Sequence, residues 1–257
     1  MKRISPTLRV GALGLLLLAC LLVTTPARIA RWLVPPGQLV MQGFSGTLWQ
    51  GKASRVLVLT PAGYVHLGAL DWRLDPWSLL LLAPRIKLES KWGNQAIATS
   101  LVLRGGADLD LYDLDATVPA DLLQQFMPVS LAGVFALQLN PLKLREGLPV
   151  EGAGRLVWQA ASWSSPTGPV ALGSYAVDIS QAAGEPMQGQ VITLEGEVAA
   201  SGSVQLDGLV YGVDITVQGE GGLDERLQQA LALLAQPVDA GFRIKLDGEF
   251  QPAAGGG

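Results

Sequence analysis

The chain has 257 residues, a formal net charge of −4, one cysteine (Cys20) and one histidine (His66). Its 18 Lys and Arg are scattered singly among 22 Asp and Glu, which leaves no basic patch for nucleic acid or anionic lipid head groups. A single cysteine permits no intramolecular disulfide, and a single histidine with no second thiol gives no zinc site, so the fold must rest on buried apolar surface.

The amino end carries Lys2, Arg3 and Arg9; no further charge occurs until Arg28, and residues 10–23 (VGALGLLLLACLLV) are all apolar. The 18 residues 10–27 would reach about 27 Å as a helix, enough for a thin bilayer core. The positive flank keeps residues 1–9 in the cytoplasm and sends everything after the helix to the far side. A transmembrane anchor is therefore predicted at 10–27, with an interfacial linker at 28–37 around Trp32. A signal peptide cleaved at Thr25-Pro26-Ala27 is disfavoured by Pro26. Lipobox spacing at Leu17-Leu-Ala-Cys20 is undercut by Leu21, Leu22 and Val23, which continue the apolar run.

Beyond the linker the pattern has period two. The motif Gly43-Phe-Ser-Gly46-Thr47-Leu48-Trp49-Gln-Gly51 comes first. Leu70, Trp72 and Leu74 then oppose Asp71, Arg73 and Asp75. Ile86 and Leu88 follow, then Ile97, Leu101 and Leu103, then Phe135, Leu137 and Leu139. The pattern resumes at Tyr175, Val177 and Ile179, at Tyr211 to Val217, and at Phe242, Ile244 and Leu246. Such alternation predicts antiparallel strands with one covered face and one wet face. Two helices are predicted: a short one at 121–126 before Pro128, and one from Asp224 to about Ala235 with Leu227, Ala230, Leu231 and Leu234 as its apolar stripe. Residues 140–152, rich in Pro and Gly, read as a link, and 252–257 as a flexible tail.

Two stretches read as copies. Gly43 to Ala53 recurs from Gly152 to Ala161, with Trp49 answered by Trp158 at an offset of 158 − 49 = 109. Leu67-Gly68 returns as Leu172-Gly173, and 121–125 as 224–229. The order is kept, which predicts a duplicated unit, 38–140 and 141–251. The fold class is mainly β: a duplicated, mostly antiparallel curved sheet with few short helices, preceded by one membrane helix.

Catalytic patterns are weak. Ser45 and His66 would have to serve any Ser-His-Asp triad, yet Ser45 sits in a strand-like motif that lacks the elbow's final glycine. Asp108, Asp110, Asp113 and Asp115 alternate with leucines along a strand, unlike a calcium loop, and a bulge near Tyr112 would put all four on the wet face. No cofactor motif is complete; Gly152-x-Gly154 alone is weak. Trp77-Ser-Leu79-Leu80-Leu81-Leu82-Ala83, fenced by Pro76 and Pro84, is too short to span a membrane. The expected reading is a core cap over the sheet; the sharper one is contact with bilayer, lipid or partner. Trp49 and Trp158 read as core anchors.

The anchor, Leu33-Val-Pro35-Pro36, the Gly43, Gly46, Thr47, Leu48, Trp49, Gly51 motif, and the later Leu67-Gly-Ala-Leu-Asp-Trp72-Arg-Leu-Asp-Pro76 together resemble the type II secretion system protein N family across essentially the whole chain. The resemblance implies a single-pass protein of the inner membrane of Gram-negative bacteria with its bulk in the periplasm. It implies an accessory part of the machine that exports folded proteins, without enzymatic activity or cofactor. Its partners would be other components of that machine and the bilayer around its helix. A more distant similarity to AsmA-like proteins implies an alternative, a groove for acyl chains with Trp72, Trp77 and Leu79 to Leu82 along it. The motif glycines read as fold determinants.

Overall fold

In a computed structural model, residues 20–21, 23–33, 39–60, 63–125, 130–165, 168–239 and 241–250 are described. They form one antiparallel sheet. Its first seven strands are β1 (Leu39–Gly46), β2 (Gln50–Thr60), β3 (Gly63–Leu74), β4 (Arg85–Trp92), β5 (Gln95–Gly105), β6 (Asp108–Pro119) and β7 (Leu131–Arg145). There follow β8 (Leu148–Ser165), β9 (Gly168–Gln181), β10 (Met187–Glu195), β11 (Val198–Asp207), β12 (Val210–Gly219), β13 (Gln236–Val238) and β14 (Gly241–Glu249). Each strand pairs with the next in sequence except at the end, where β14 lies between β12 and β13. Short connections and consecutive pairing make this a meander, the expected outcome when each strand ends at a turn residue before the next alternating run begins. The two halves join in one continuous sheet.

Residues directly opposite in an antiparallel pair share a face, so register converts alternation into a surface. A single row runs Phe44, Ala53, Leu70, Ser90, Ile97, Ala116, Leu137, Leu156, Val177, Val191, Gly202, Ile215 and Ile244, thirteen strands wide. None of these residues is exposed, and apart from Ser90 and Gly202 each carries an apolar side chain. Ser90 is no exception to the chemistry, because its hydroxyl donates to Leu67 O at 2.5 Å.

Two helical elements cover this face at its ends. A 3₁₀ segment, Ala27–Leu33, packs Ala27 and Ala30 onto Ala53, Val56 and Trp72. Helix α2 (Glu225–Leu234), capped by the Asp224 carboxylate on Arg226 N, sets Leu227 and Leu231 against Val198, Trp163, Val217 and Phe242. Between β3 and β4 lies the one-turn helix α1 (Pro76–Leu80), and Ala120–Gln125 before β7 is 3₁₀. From β2 onward the element order is five strands, a helical segment and a strand, and then the same again from β8, with α1 and β13 as additions.

Three expectations are corrected. Residues 140–152 are not a link: β7 and β8 run through them and turn at Glu146 and Gly147, both at positive φ. The register steps from Leu139 opposite Gly154 to Leu142 opposite Gly152, so a bulge absorbs Asn140 and Pro141 and the strand survives the proline. The helix expected at 121–126 is a 3₁₀ segment ending at Gln125. In the acidic cluster the bulge falls at Asp113 (φ 50°) and sets all four aspartates opposite the apolar face, but Asp110 is not wet. It is 1 % exposed, held by Arg104 Nε at 2.8 Å and Arg145 Nη1 at 2.7 Å. Burial alone would raise its pKa; hydrogen bonds and charge from the two arginines outweigh this and hold it below the usual carboxylate range.

Among the described residues no helix is long and apolar enough to cross a membrane. Most of the predicted anchor at 10–27, the cytoplasmic residues 1–9, the end of the linker at 34–37 and the tail at 252–257 lie outside the described residues.

Candidate functional site

The motif at 43–51 is the β1–β2 hairpin and its turn. Gly43 (φ 68°) lies opposite Ser54 and resets the alternation, so that Leu39, Met41 and Phe44 all pack against the same cluster. At the turn, Thr47 N donates to Gln50 O at 2.9 Å, and Gln50 N returns a bond to Thr47 Oγ1 at 3.2 Å. Leu48 O accepts from Trp72 Nε1 at 2.9 Å, and Trp49 O accepts from Leu74 N at 2.8 Å. Gly51 has no room for more: a Cβ there would come within 2.3 Å of the Trp72 ring and 2.7 Å of Thr47 O. Trp72 is 7 % exposed and meets Phe44 edge-on at 6.3 Å.

The turn also holds the incoming chain. Leu48 N donates to Thr25 O at 2.8 Å, and Pro26 bridges to Thr47. Trp72 and the hairpin therefore fix where the N-terminal segment joins the sheet.

The apolar segment after Pro76 is not a core cap. Trp77, Leu81 and Leu82 are 76, 76 and 88 % exposed, and Leu79 is 37 % exposed. Their backbone is nonetheless ordered by polar groups: the Asp75 carboxylate accepts from Trp77 N at 3.1 Å, and buried Ser78 donates to Asp75 O and accepts from Arg85 N at 2.8 Å. Pro76 takes the first helical position, where a missing N–H costs nothing. Trp72 and Trp77 thus occupy opposite environments and do not line one groove.

A cavity of about 700 Å³ lies instead in the second half, between α2 and the apolar face. Phe135, Trp158, Tyr175 and Val191 form its floor; Leu227, Leu231 and Leu234 form its roof. Phe135 and Trp158 stack at 5.3 Å, and Trp158 meets Tyr175 at 6.0 Å. Charged side chains are absent from the lining. The hydroxyl of Tyr175 is already committed to Leu172 O and Val198 O at 2.8 Å each, and burial pushes it up to about 12. The walls thus offer dispersion and desolvation without a polar anchor. The apolar stripe of α2 was visible as helical spacing, but the aromatic floor it covers comes from three other strands and carries no local signal.

The two ends of the sheet differ. No described strand pairs with the outer side of β1, whose eight residues include neither proline nor lysine. At the other end β13 has three residues, one of them Pro237, which donates no hydrogen bond.

Ser45 and His66 do not meet. Ser45 is registered through Lys52 with Asp71, and His66 lies five residues away along β3, about 16 Å, stacked on Trp92. Among the described residues no three His, Cys, Asp or Glu side chains form a group able to hold a metal.

A family model described as Type II secretion system (T2SS), protein N matches residues 37–245, from the lead-in to β1 almost to the end of β14. The chain is similar to type II secretion system protein N of Aeromonas hydrophila, 28 % identical over 247 residues that cover 91 % of this chain and 94 % of that one. It is similar also to type II secretion system protein N of Vibrio cholerae serotype O1, 27 % identical over 243 residues, 88 % and 90 % of the two chains. No solved structure matches. The hairpin motif, the long meander and these matches across nearly the whole chain place the protein in one family: it belongs to the type II secretion system protein N family.

Proposed function

We propose that the chain is a non-enzymatic accessory component of the type II secretion machinery, held in the inner membrane by residues 10–27 with residues 1–9 cytoplasmic and the sheet in the periplasm. It acts through protein contacts of the sheet with other components of that machine in the export of folded proteins. The observation that carries this reading is the open edge of β1. An edge strand with no proline or lysine, paired on one side with β2, offers main-chain donors and acceptors on either side of Gly43 that a partner strand can complete. The family motif at Gly43, Gly46, Thr47, Leu48, Trp49, Gly51, Trp72 and Pro76 is structural in this reading: it shapes the hairpin that presents that edge and fixes the tether to it. Repeats 38–140 and 141–251 would be copies of one unit, supported by the recurring order of five strands, helical segment and strand.

Photo-crosslinking in cells from Gln42 and Ser45, at native expression, tests the edge. Adducts with secretion components support the reading; the same yield from β13 as from β1, or no protein adduct at either, counts against it.

A second reading is favoured by the cavity. A space of about 700 Å³ lined by apolar side chains suits a hydrocarbon chain, and a peptide would leave its amides unpaired there. Native mass spectrometry of the periplasmic part free of bound lipid would remove that reading and leave the first intact.

A further inference from the structure

We infer that the exposed apolar platform at Trp77, Leu79, Leu81 and Leu82 inserts into the surface of the bilayer that holds the anchor, giving the sheet a second membrane contact and a fixed orientation. The inference rests on the anchor reading above.

The tether supplies the geometry. Cys20, Leu21 and Val23 are helical, Thr24 N bonds to Cys20 O at 3.0 Å, and the next residue, Thr25, is bonded to Leu48 of the β1–β2 turn. The wholly apolar run 10–23 therefore ends at that turn. Leu74, the last residue of β3, is bonded to Trp49 of the same turn, and the platform begins three residues later, within about 11 Å of chain. The end of the membrane segment and the platform thus share one end of the sheet.

The platform is built for display. Asp75 and buried Ser78 tie its backbone, so its shape does not depend on burying its side chains. Leu82 sits at φ 53°, a conformation that leucine rarely adopts, and is 88 % exposed there. Exposed apolar clusters of this kind on a rigid backbone mark an interaction surface, and tryptophan with leucine is the composition of an interfacial contact.

The sequence shows no basic patch for anionic lipid, but the fold gathers cations that lie singly along the chain, and they favour an anionic lipid surface. Beside α1 a cleft of about 940 Å³ brings together Arg73, Arg85 and Lys87. Two carboxylates share the lining, Asp75 accepting from Trp77 N and Asp113 from Asn140 Nδ2 at 2.6 Å; both donors are uncharged, so the cleft keeps a formal excess of 3 − 2 = +1. Arg28 and Arg31 are exposed on the 3₁₀ segment that follows the tether. Phosphate head groups fit beside cations flanking an apolar wedge.

The test uses the full chain with Cys20→Ser, reconstituted in vesicles of phosphatidylcholine and phosphatidylglycerol, with one cysteine carrying an environment-sensitive fluorophore. Leu82→Cys reports the platform. Leu194→Cys, half-exposed in β10 near its turn at the opposite end of the sheet, is the reference, and Leu16→Cys reports the anchor. With nitroxide lipids the platform probe is expected to fall to about half its intensity or less, with blue-shifted emission, while the reference is unchanged. Quenching at Leu16 without quenching at Leu82 overturns the inference and leaves the anchor standing. Absence of quenching at both overturns the anchor and the inference together. In cells, photo-crosslinking from Leu82 that traps a protein in place of lipid also overturns it.

Discussion

The two halves of the sheet present one apolar face but close it differently. In the first half a 3₁₀ segment, Ala27–Leu33, lies directly on the hairpin, and Ala53 and Val56 beneath it are completely buried. In the second half a ten-residue helix spans the face and leaves about 700 Å³ beneath it, while Leu233 and Leu234 at its far end stay 85 and 74 % exposed. The contrast shows that an apolar strand face specifies only that it must be covered. How tightly it is covered depends on the side chains that meet there: Ala27 and Ala30 of the cover on Ala53 in the first half, and the aromatic floor of Phe135, Trp158 and Tyr175 under α2 in the second.

If that comparison holds, the largest loss of stability comes from the tight half. Trp72→Ala removes a buried indole and its bond to Leu48, and is expected to cost about 3–5 kcal/mol by denaturant titration. Gly51→Val has the same direction, because its side chain would enter the Trp72 ring. If Trp72→Ala instead left the stability unchanged, the tight half would not be a packed core.

Asp110 in the first half is held by Arg145 of the second, so it tests whether the sheet is one unit. Asp110→Asn leaves Arg104 and Arg145 without their carboxylate, and breaking such a buried pair costs about 3 kcal/mol. The sign with pH follows from its lowered pKa. The contribution is present above the unfolded value, about 3.9, and is lost as pH falls through the lower folded value. The wild-type chain should therefore lose stability relative to Asp110→Asn below about pH 4. A single two-state transition in both proteins is expected of one continuous sheet.

Added volume at matched small residues should separate the two halves further. Ala53→Leu, in the tight half, is expected to cost about 1–3 kcal/mol. Ala200→Leu, whose side chain enters the cavity, should change stability by less than about 0.5 kcal/mol. Equal costs would mean that the cavity closes in solution. The smallest effect is expected at Arg155→Ala: its pair with Asp178 is half-exposed on both sides, and the midpoint of thermal unfolding should not move measurably.

Much of this was readable before the structure. The alternation at Leu70, Trp72 and Leu74, and at Phe242, Ile244 and Leu246, identifies strand and buried face together, because side chains in a strand have period two. The helix at Glu225–Leu234 follows from its apolar stripe at Leu227, Ala230, Leu231 and Leu234, while its aspartate cap is seen only in the structure. The errors have physical causes. Residues 140–152 looked like a link because Pro and Gly punctuate most chains, whereas here a bulge and close glycine contacts keep two long strands paired. Trp77 to Ala83 looked like core because it is apolar, and only the polar ties of Asp75 and Ser78 reveal that it is held outward.

By itself, then, the sequence determined the local periods, the apolar run at its start, the hairpin motif with its tight glycines, and the family they resemble, since each is a property of neighbouring residues. Tertiary structure alone decided that thirteen strands align one apolar row, that Arg104 and Arg145 converge on Asp110, that the tether and the platform share one end, and that a cavity opens under α2. Those features depend on register and on the distance between elements far apart in the chain. Local propensity carries no information about either.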